Sequence, residues 1–186
     1  MIFNLFIKYF FLACLILSSS KISSEEPSII VLMYHRFDEQ KYPSTSISKI
    51  LFEEQIKYLI KEGIEILPLT ELLKYFRGED NLPKRSVFIT IDDAFKSFYK
   101  NGFPILQKNN LPFSIFISSN YVSNQKKSDY MSWSMLKELS VNNGLILNHS
   151  KSHKSLLGIE ELQLRKEIKE NQNMIEKNIG IQPKVF

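Results

Sequence analysis

From residue 28 onward, short runs rich in β-branched and aromatic residues alternate with longer stretches whose apolar residues recur at helical spacing. The intervals between successive runs are too long for hairpins, and strands joined by long crossovers lie parallel. That order restricts the chain to an α/β fold with a parallel sheet, either a barrel or an open doubly wound sheet. No sequence repeat, low-complexity tract or second domain interrupts the pattern.

Residues 29–34 form the first expected strand. Ser48 is placed to cap a helix whose apolar stripe is Phe52, Ile56, Leu59 and Ile60, with Gly63 as its stop. Residues 64–67 read as a second strand, and 70–76 as a short helix closed by Gly78. The run 86–91 is a third strand leading straight into Asp92 and Asp93; a helical stretch over 95–109, interrupted near Gly102 and Pro104, follows it. A fourth strand at 113–117, a helix opened by Ser132 and ended by Gly144, and a fifth strand at 145–147 come next. A long helix at 159–178, ended by Gly180, precedes residues 184–186, which read as the start of a sixth strand.

A different segment stands ahead of this pattern. Residues 1–8 hold one positive charge, 9–17 are unbroken apolar, and Ser18, Ser19 and Ser20 lead into a polar stretch. The apolar run is short for a membrane span, and the order is that of a secretory signal peptide over residues 1–24, with cleavage between Ser20 and Ser24. Export to the periplasm, cell envelope or extracellular space follows; a retained signal would instead anchor the chain to a membrane. Cys14, the one cysteine, lies inside the removable segment, so the mature chain has no disulfide or thiol ligand, and any metal site must use His, Asp or Glu. Residues 25–186, part of a chain with 44% hydrophobic residues, can bury the core of one domain. The formal net charge is +4, but the lysines are interspersed with acids, so there is no nucleic-acid patch. Nothing in the sequence sets an oligomeric state.

All three histidines fall just after expected strands: His35 after the first, His149 and His153 after the fifth, while Asp92 and Asp93 follow the third. In parallel β/α folds the C-terminal strand ends open onto one face, where these side chains would converge. His149 and His153 have a spacing that lets two imidazoles reach one ion, and a carboxylate from another strand can complete a three-ligand site. Ser150 rather than Glu follows His149, so the pattern is not the H-E-x-x-H of zinc peptidases. Taken singly, each feature also fits a bland reading: solvated loop histidines, or an Asp pair at a helix start. Together they supply a ligand set and a spare carboxylate that can act as a base on water.

The run Thr90-Ile91-Asp92-Asp93-Ala94 resembles the T-F-D-D-G motif of the NodB-homology polysaccharide deacetylases, carbohydrate esterase family 4. Asn148-His149-Ser150-Lys151-Ser152-His153 resembles their H-S/T-x-x-H motif, and Leu32-Met33-Tyr34-His35-Arg36 and the segment from Ser132-Trp133 to Leu139 also look like this family. The resemblance implies a distorted parallel (β/α) barrel of the glycoside hydrolase/deacetylase type, truncated after about five to six β/α units, with residues 25–186 as the N-terminal portion of the domain. It implies removal of N-acetyl groups from an N-acetylhexosamine polysaccharide with a divalent ion, commonly zinc. Carried over by residue, Asp92 matches the general base, and Asp93, His149 and His153 match the metal ligands. Ser150 would brace the ligand loop or be an ordinary loop serine. His35 would contact substrate or the base, or cap its strand. Trp133 reads as core, with stacking on a sugar as the alternative.

Ala94 stands where the family has Gly, and its presence predicts an ordinary backbone dihedral there. The family's later aromatic-Pro-Tyr segment and distal histidine acid would lie beyond Phe186. Two rival functions remain: deacylation of another small amide such as a formamido sugar, and a non-catalytic glycan-binding remnant of the same fold.

Overall fold

The computed structural model describes residues 26–124 and 129–186; the signal-peptide reading of residues 1–24 lies outside the described residues. In chain order come β1 (Ser28–Tyr34), β2 (Arg36–Phe37), β3 (Ser46–Ile47), α1 (Lys49–Lys61), β4 (Glu65–Ile66), α2 (Leu69–Phe76) and β5 (Arg85–Asp92). A π-helical turn (Phe98–Gly102) runs into α3 (Phe103–Lys108), followed by β6 (Phe113–Ile117), α4 (Ser119–Val122), α5 (Trp133–Ser140), β7 (Gly144–Asn148) and α6 (Glu161–Ile179). Among the described residues no helix is long and apolar enough to cross a membrane.

Local chemistry explains the boundaries. Ser48 Oγ accepts the Leu51 amide at 3.1 Å and opens α1, which buries Phe52, Ile56 and Leu59 along one stripe. Ser132 Oγ does the same for the Met135 amide at the start of α5. The expected break near Gly102 and Pro104 is the junction between the π-helical turn and α3, where Pro104 lies in the first turn of the new helix.

The principal sheet has five strands, all parallel, in the order β1-β5-β6-β7, with β4 pairing beside the start of β5. Residues 86–91 of β5 are all buried, as a strand covered on both faces must be. Val87, Ile89 and Ile91 join the larger core with Phe37, Phe52, Phe98 and Phe113, while Phe88 alternates to the opposite face with Leu69, Leu72 and Leu147. β1 leaves Ile30, Val31 and Met33 roughly half or more exposed.

Two expectations change, and one feature is new. Residues 184–186 do not form a strand: Val185 O accepts one hydrogen bond from the Asn148 amide at 3.3 Å, which is too little ladder to make one. Gly144 begins β7 rather than ending the preceding helix, and the turn is made by Asn143 at φ 63°. Glycine is needed at 144 because a Cβ would lie 2.7 Å from Leu139 O and 2.8 Å from the Phe113 ring. The two-residue parallel pairing of β2 with β3 was not legible in the sequence.

Candidate functional site

Strand register builds the site. Tyr34 pairs with Ile91, Asp92 with Phe116, and Ile117 with Asn148, so the C-terminal ends of four strands lie level. His35, Asp92, Asp93 and His149 are the residues at or just past those ends, and His153 follows one turn later.

The chain turns sharply after β5. Asp93 has φ 71° and Ala94 has φ 58°, so two consecutive residues with side chains sit in the left-handed region. The ordinary dihedral expected for Ala94 is therefore incorrect. A left-handed residue bearing a Cβ costs roughly 1–2 kcal/mol, and the surroundings hold it in place. The Asp93 amide donates to Phe116 O at 3.0 Å, Ala94 O accepts from the Met131 amide at 2.9 Å, and the Lys96 amide donates to Asp129 O at 2.8 Å. Ala94 is fully buried, and Phe95 bridges Tyr130 across this turn.

The histidine loop is fixed as firmly. The His149 amide donates to Ile117 O at 3.0 Å, and Ser118 Oγ donates to His149 O at 2.8 Å. Ser150, 3% exposed, takes φ 62°; its Oγ accepts the His153 amide at 3.1 Å, and its own amide donates to Asn148 Oδ1. The His149 and His153 rings end with centroids 4.9 Å apart.

Asp93 Oδ1 faces both rings, 3.1 Å from His153 Nε2 and 3.7 Å from His149 Nε2. The three donor atoms lie within 4.8 Å of one another. Asp93 Oδ1 is buried and has no hydrogen-bond partner, despite the short approach of His153 Nε2. Such an orphan is rare in a folded protein, and a cation among the three atoms would satisfy it. Two imidazoles and a carboxylate are a donor set that suits a divalent transition ion.

Asp92 stands beside this triad with Oδ2 3.9 Å from His35 Nε2. Burial pushes its carboxyl above the ordinary 3.8, outweighing the opposite pull of His149 and His35. Burial also holds His149 below its ordinary 6.5 despite the carboxylates nearby, which favours the neutral imidazole that a metal requires. Trp133 is partly buried against the core, with Nε1 donating to Ser123 Oγ at 3.2 Å.

Two participants were missed in the sequence, Glu167 and Asn171 on α6. Both are buried, and both bond to the histidine loop. The available signal was their spacing: with Ile175 they repeat every four residues along one face, so polar side chains occupy positions of an inward stripe.

The family model described as polysaccharide deacetylase matches residues 79–186. A poly-beta-1,6-N-acetyl-D-glucosamine N-deacetylase of Staphylococcus aureus is 30% identical over 187 residues, covering 87% of this chain. The chain spans 64% of that relative's length. In fold it is similar to a Streptococcus pyogenes deacetylase solved in complex with acetate, with TM-score 0.77 and 20% identity over 84% of this chain and 72% of the other. A Bacillus cereus polysaccharide deacetylase aligns with TM-score 0.69 and 26% identity, over 85% of this chain and 49% of that one.

Proposed function

The chain belongs to the polysaccharide deacetylase family, and from that premise we propose that it bears the metal ligands and general base of a site that hydrolyses the N-acetyl group of an N-acetylhexosamine polymer. The likeness to a Staphylococcus aureus poly-beta-1,6-N-acetyl-D-glucosamine N-deacetylase favours a β-1,6-linked poly-N-acetylglucosamine as the polymer. The observation that carries the reading is the orphaned Asp93 Oδ1 between two imidazoles, with a second carboxylate, Asp92, beside it.

Asp93, His149 and His153 would hold the ion, with zinc the best match to two imidazoles and a carboxylate. When bound, such an ion supplies Lewis acidity toward the acetamide carbonyl and acidifies water.

Hydrolysis adds water across the amide C–N bond and yields acetate and a free amine. Asp92 removes the proton from the attacking water. Its raised proton affinity suits that task, since a carboxylate at the ordinary value is a weak base at neutral pH. The proton taken up by Asp92 balances the one the departing nitrogen must gain. His35, 3.9 Å away, steadies the Asp92 carboxylate. Ser150 keeps His153 in place through its backbone amide.

The apolar N-terminal run supports export, where a cell-surface or extracellular glycan would be met. The test is acetate release by the complete domain from β-1,6-linked N-acetylglucosamine oligomers, with formate release from an N-formyl analogue in parallel. Acetate release abolished by chelator and restored by zinc is the expected result. Release that persists after Asp93→Ala, or its absence with every N-acetylated glycan, would overturn the reading.

A further inference from the structure

The inward face of α6 should be apolar if its task were packing alone, yet its buried residues are Glu167, Asn171 and Ile175. Glu167 is 6% exposed and Asn171 fully buried. Within 4.0 Å no cation pairs with Glu167 among the described residues, and the neighbouring Lys151 pairs instead with Glu170 at 2.6 Å. A buried carboxylate is costly for stability, and an apolar residue of similar size would serve packing better.

Both polar side chains reach the segment carrying the two histidines, and Asn171 ties it to the end of β6 as well. Glu167 Oε2 accepts the Ser152 amide at 2.8 Å, and Oε1 accepts Ser152 Oγ at 2.9 Å. Asn171 Nδ2 donates to Asn148 Oδ1 and to Ile117 O, each at 2.8 Å, and its Oδ1 accepts the Ser119 amide at 2.7 Å. Asn148 Oδ1 in turn accepts the Ser150 amide at 3.0 Å, while Asn148 Nδ2 donates back to Ile168 O of α6 at 2.8 Å. The segment is thus bolted to α6 at Asn148 and at Ser152, the residues immediately preceding His149 and His153. Between these points Ser150 at φ 62° and, just past them, His153 at φ 55° hold left-handed dihedrals that would relax without restraint.

We propose that Glu167 and Asn171 are positioning residues that set the separation of His149 and His153, making α6 a structural part of the metal centre. The proposal rests on the reading of Asp93, His149 and His153 as ligands. Residues that orient metal ligands typically change affinity by about 10- to 100-fold when removed, and that range is expected for Glu167→Ala and Asn171→Ala.

The experiment measures zinc affinity by competition with a chromophoric chelator, and the visible spectrum of the cobalt-substituted protein. The unaltered protein is compared with Glu167→Ala, Asn171→Ala and Asp93→Ala. Weaker zinc binding and an altered cobalt spectrum in the two α6 variants, with circular dichroism preserved, is the expected result. Should either fail to fold, Glu167→Gln and Ser152→Ala, each disturbing the clamp more mildly, carry the comparison, and Glu167→Asp tests for partial rescue. Binding that depends on Asp93 but is unchanged in the α6 variants would overturn this inference alone. No zinc binding by the unaltered protein, or equal affinity after Asp93→Ala, would overturn the ligand assignment and this inference with it.

Discussion

Asp93 Oδ1 approaches His153 Nε2 to 3.1 Å without accepting a hydrogen bond from it. A buried acceptor in that state costs on the order of 1–3 kcal/mol, which a cation held by Asp93, His149 and His153 would remove. Zinc at about 100 times its Kd is expected to stabilise the protein by about 2.7 kcal/mol. The check is a thermal midpoint that rises with zinc and falls back with chelator. An unchanged midpoint, or the same rise in Asp93→Asn, contradicts the ligand set.

Asp92 lies beside Asp93, His149 and His153 without belonging to that triad. Asp92→Asn should therefore keep zinc affinity within about tenfold while deacetylation falls by about 10²–10⁴-fold, the usual contribution of a positioned base. Equilibrium binding and turnover measured on one preparation separate the two effects. A variant that loses zinc and activity together would show Asp92 to be a ligand.

The pH dependence of the metal-free protein follows from His149 and Asp92, with opposite signs. Burial lowers His149 below 6.5, so its contribution to stability is present above 6.5 and lost as pH falls through the depressed folded value. Burial raises Asp92 above 3.8, so its contribution is present below 3.8 and lost as pH rises through the raised value. In chelator-treated Asp92→Asn, the thermal midpoint is expected to drop on acidification below pH 6.5 more steeply than in the unaltered protein. Further replacement of His149 by Gln should flatten that drop. Equal slopes in all three proteins would count against the shifts.

Ala94 pays a backbone penalty at φ 58° that glycine would not. Ala94→Gly is expected to raise stability by about 1 kcal/mol, measured by denaturant titration, and to leave zinc affinity unchanged. A loss of stability would mean that packing of the Ala94 methyl outweighs the dihedral term.

The sequence carried the signals that are local or periodic. Ser48 and Ser132 announced their helices by cap chemistry, and β5 announced itself by an apolar run that ends in two carboxylates. His35, Asp92 and His149 could be placed at one rim because a parallel sheet levels its strand ends. Features that depend on distant partners were hidden. The dihedral of Ala94 is imposed by backbone bonds around Tyr130, and the roles of Glu167 and Asn171 appear only when α6 lies against β7. In the sequence those two are ordinary polar residues in a strongly charged helix. Residues 184–186 have strand-like composition, but a ladder needs more than the single bond they make.

The clamp from α6 also has a temporal side. Synthesis runs from the N-terminus, so Asp93, His149 and His153 all exist in the growing chain before residues 161–179 do. Until α6 has been made and has docked, the segment carrying both imidazoles lacks its bonds to Glu167 and Asn171, and an ion meeting the nascent chain would find the three side chains without their geometry. If Asp93, His149 and His153 hold an ion as proposed, tight capture would have to wait for α6 to dock, and the helix that braces the loop would also time its loading.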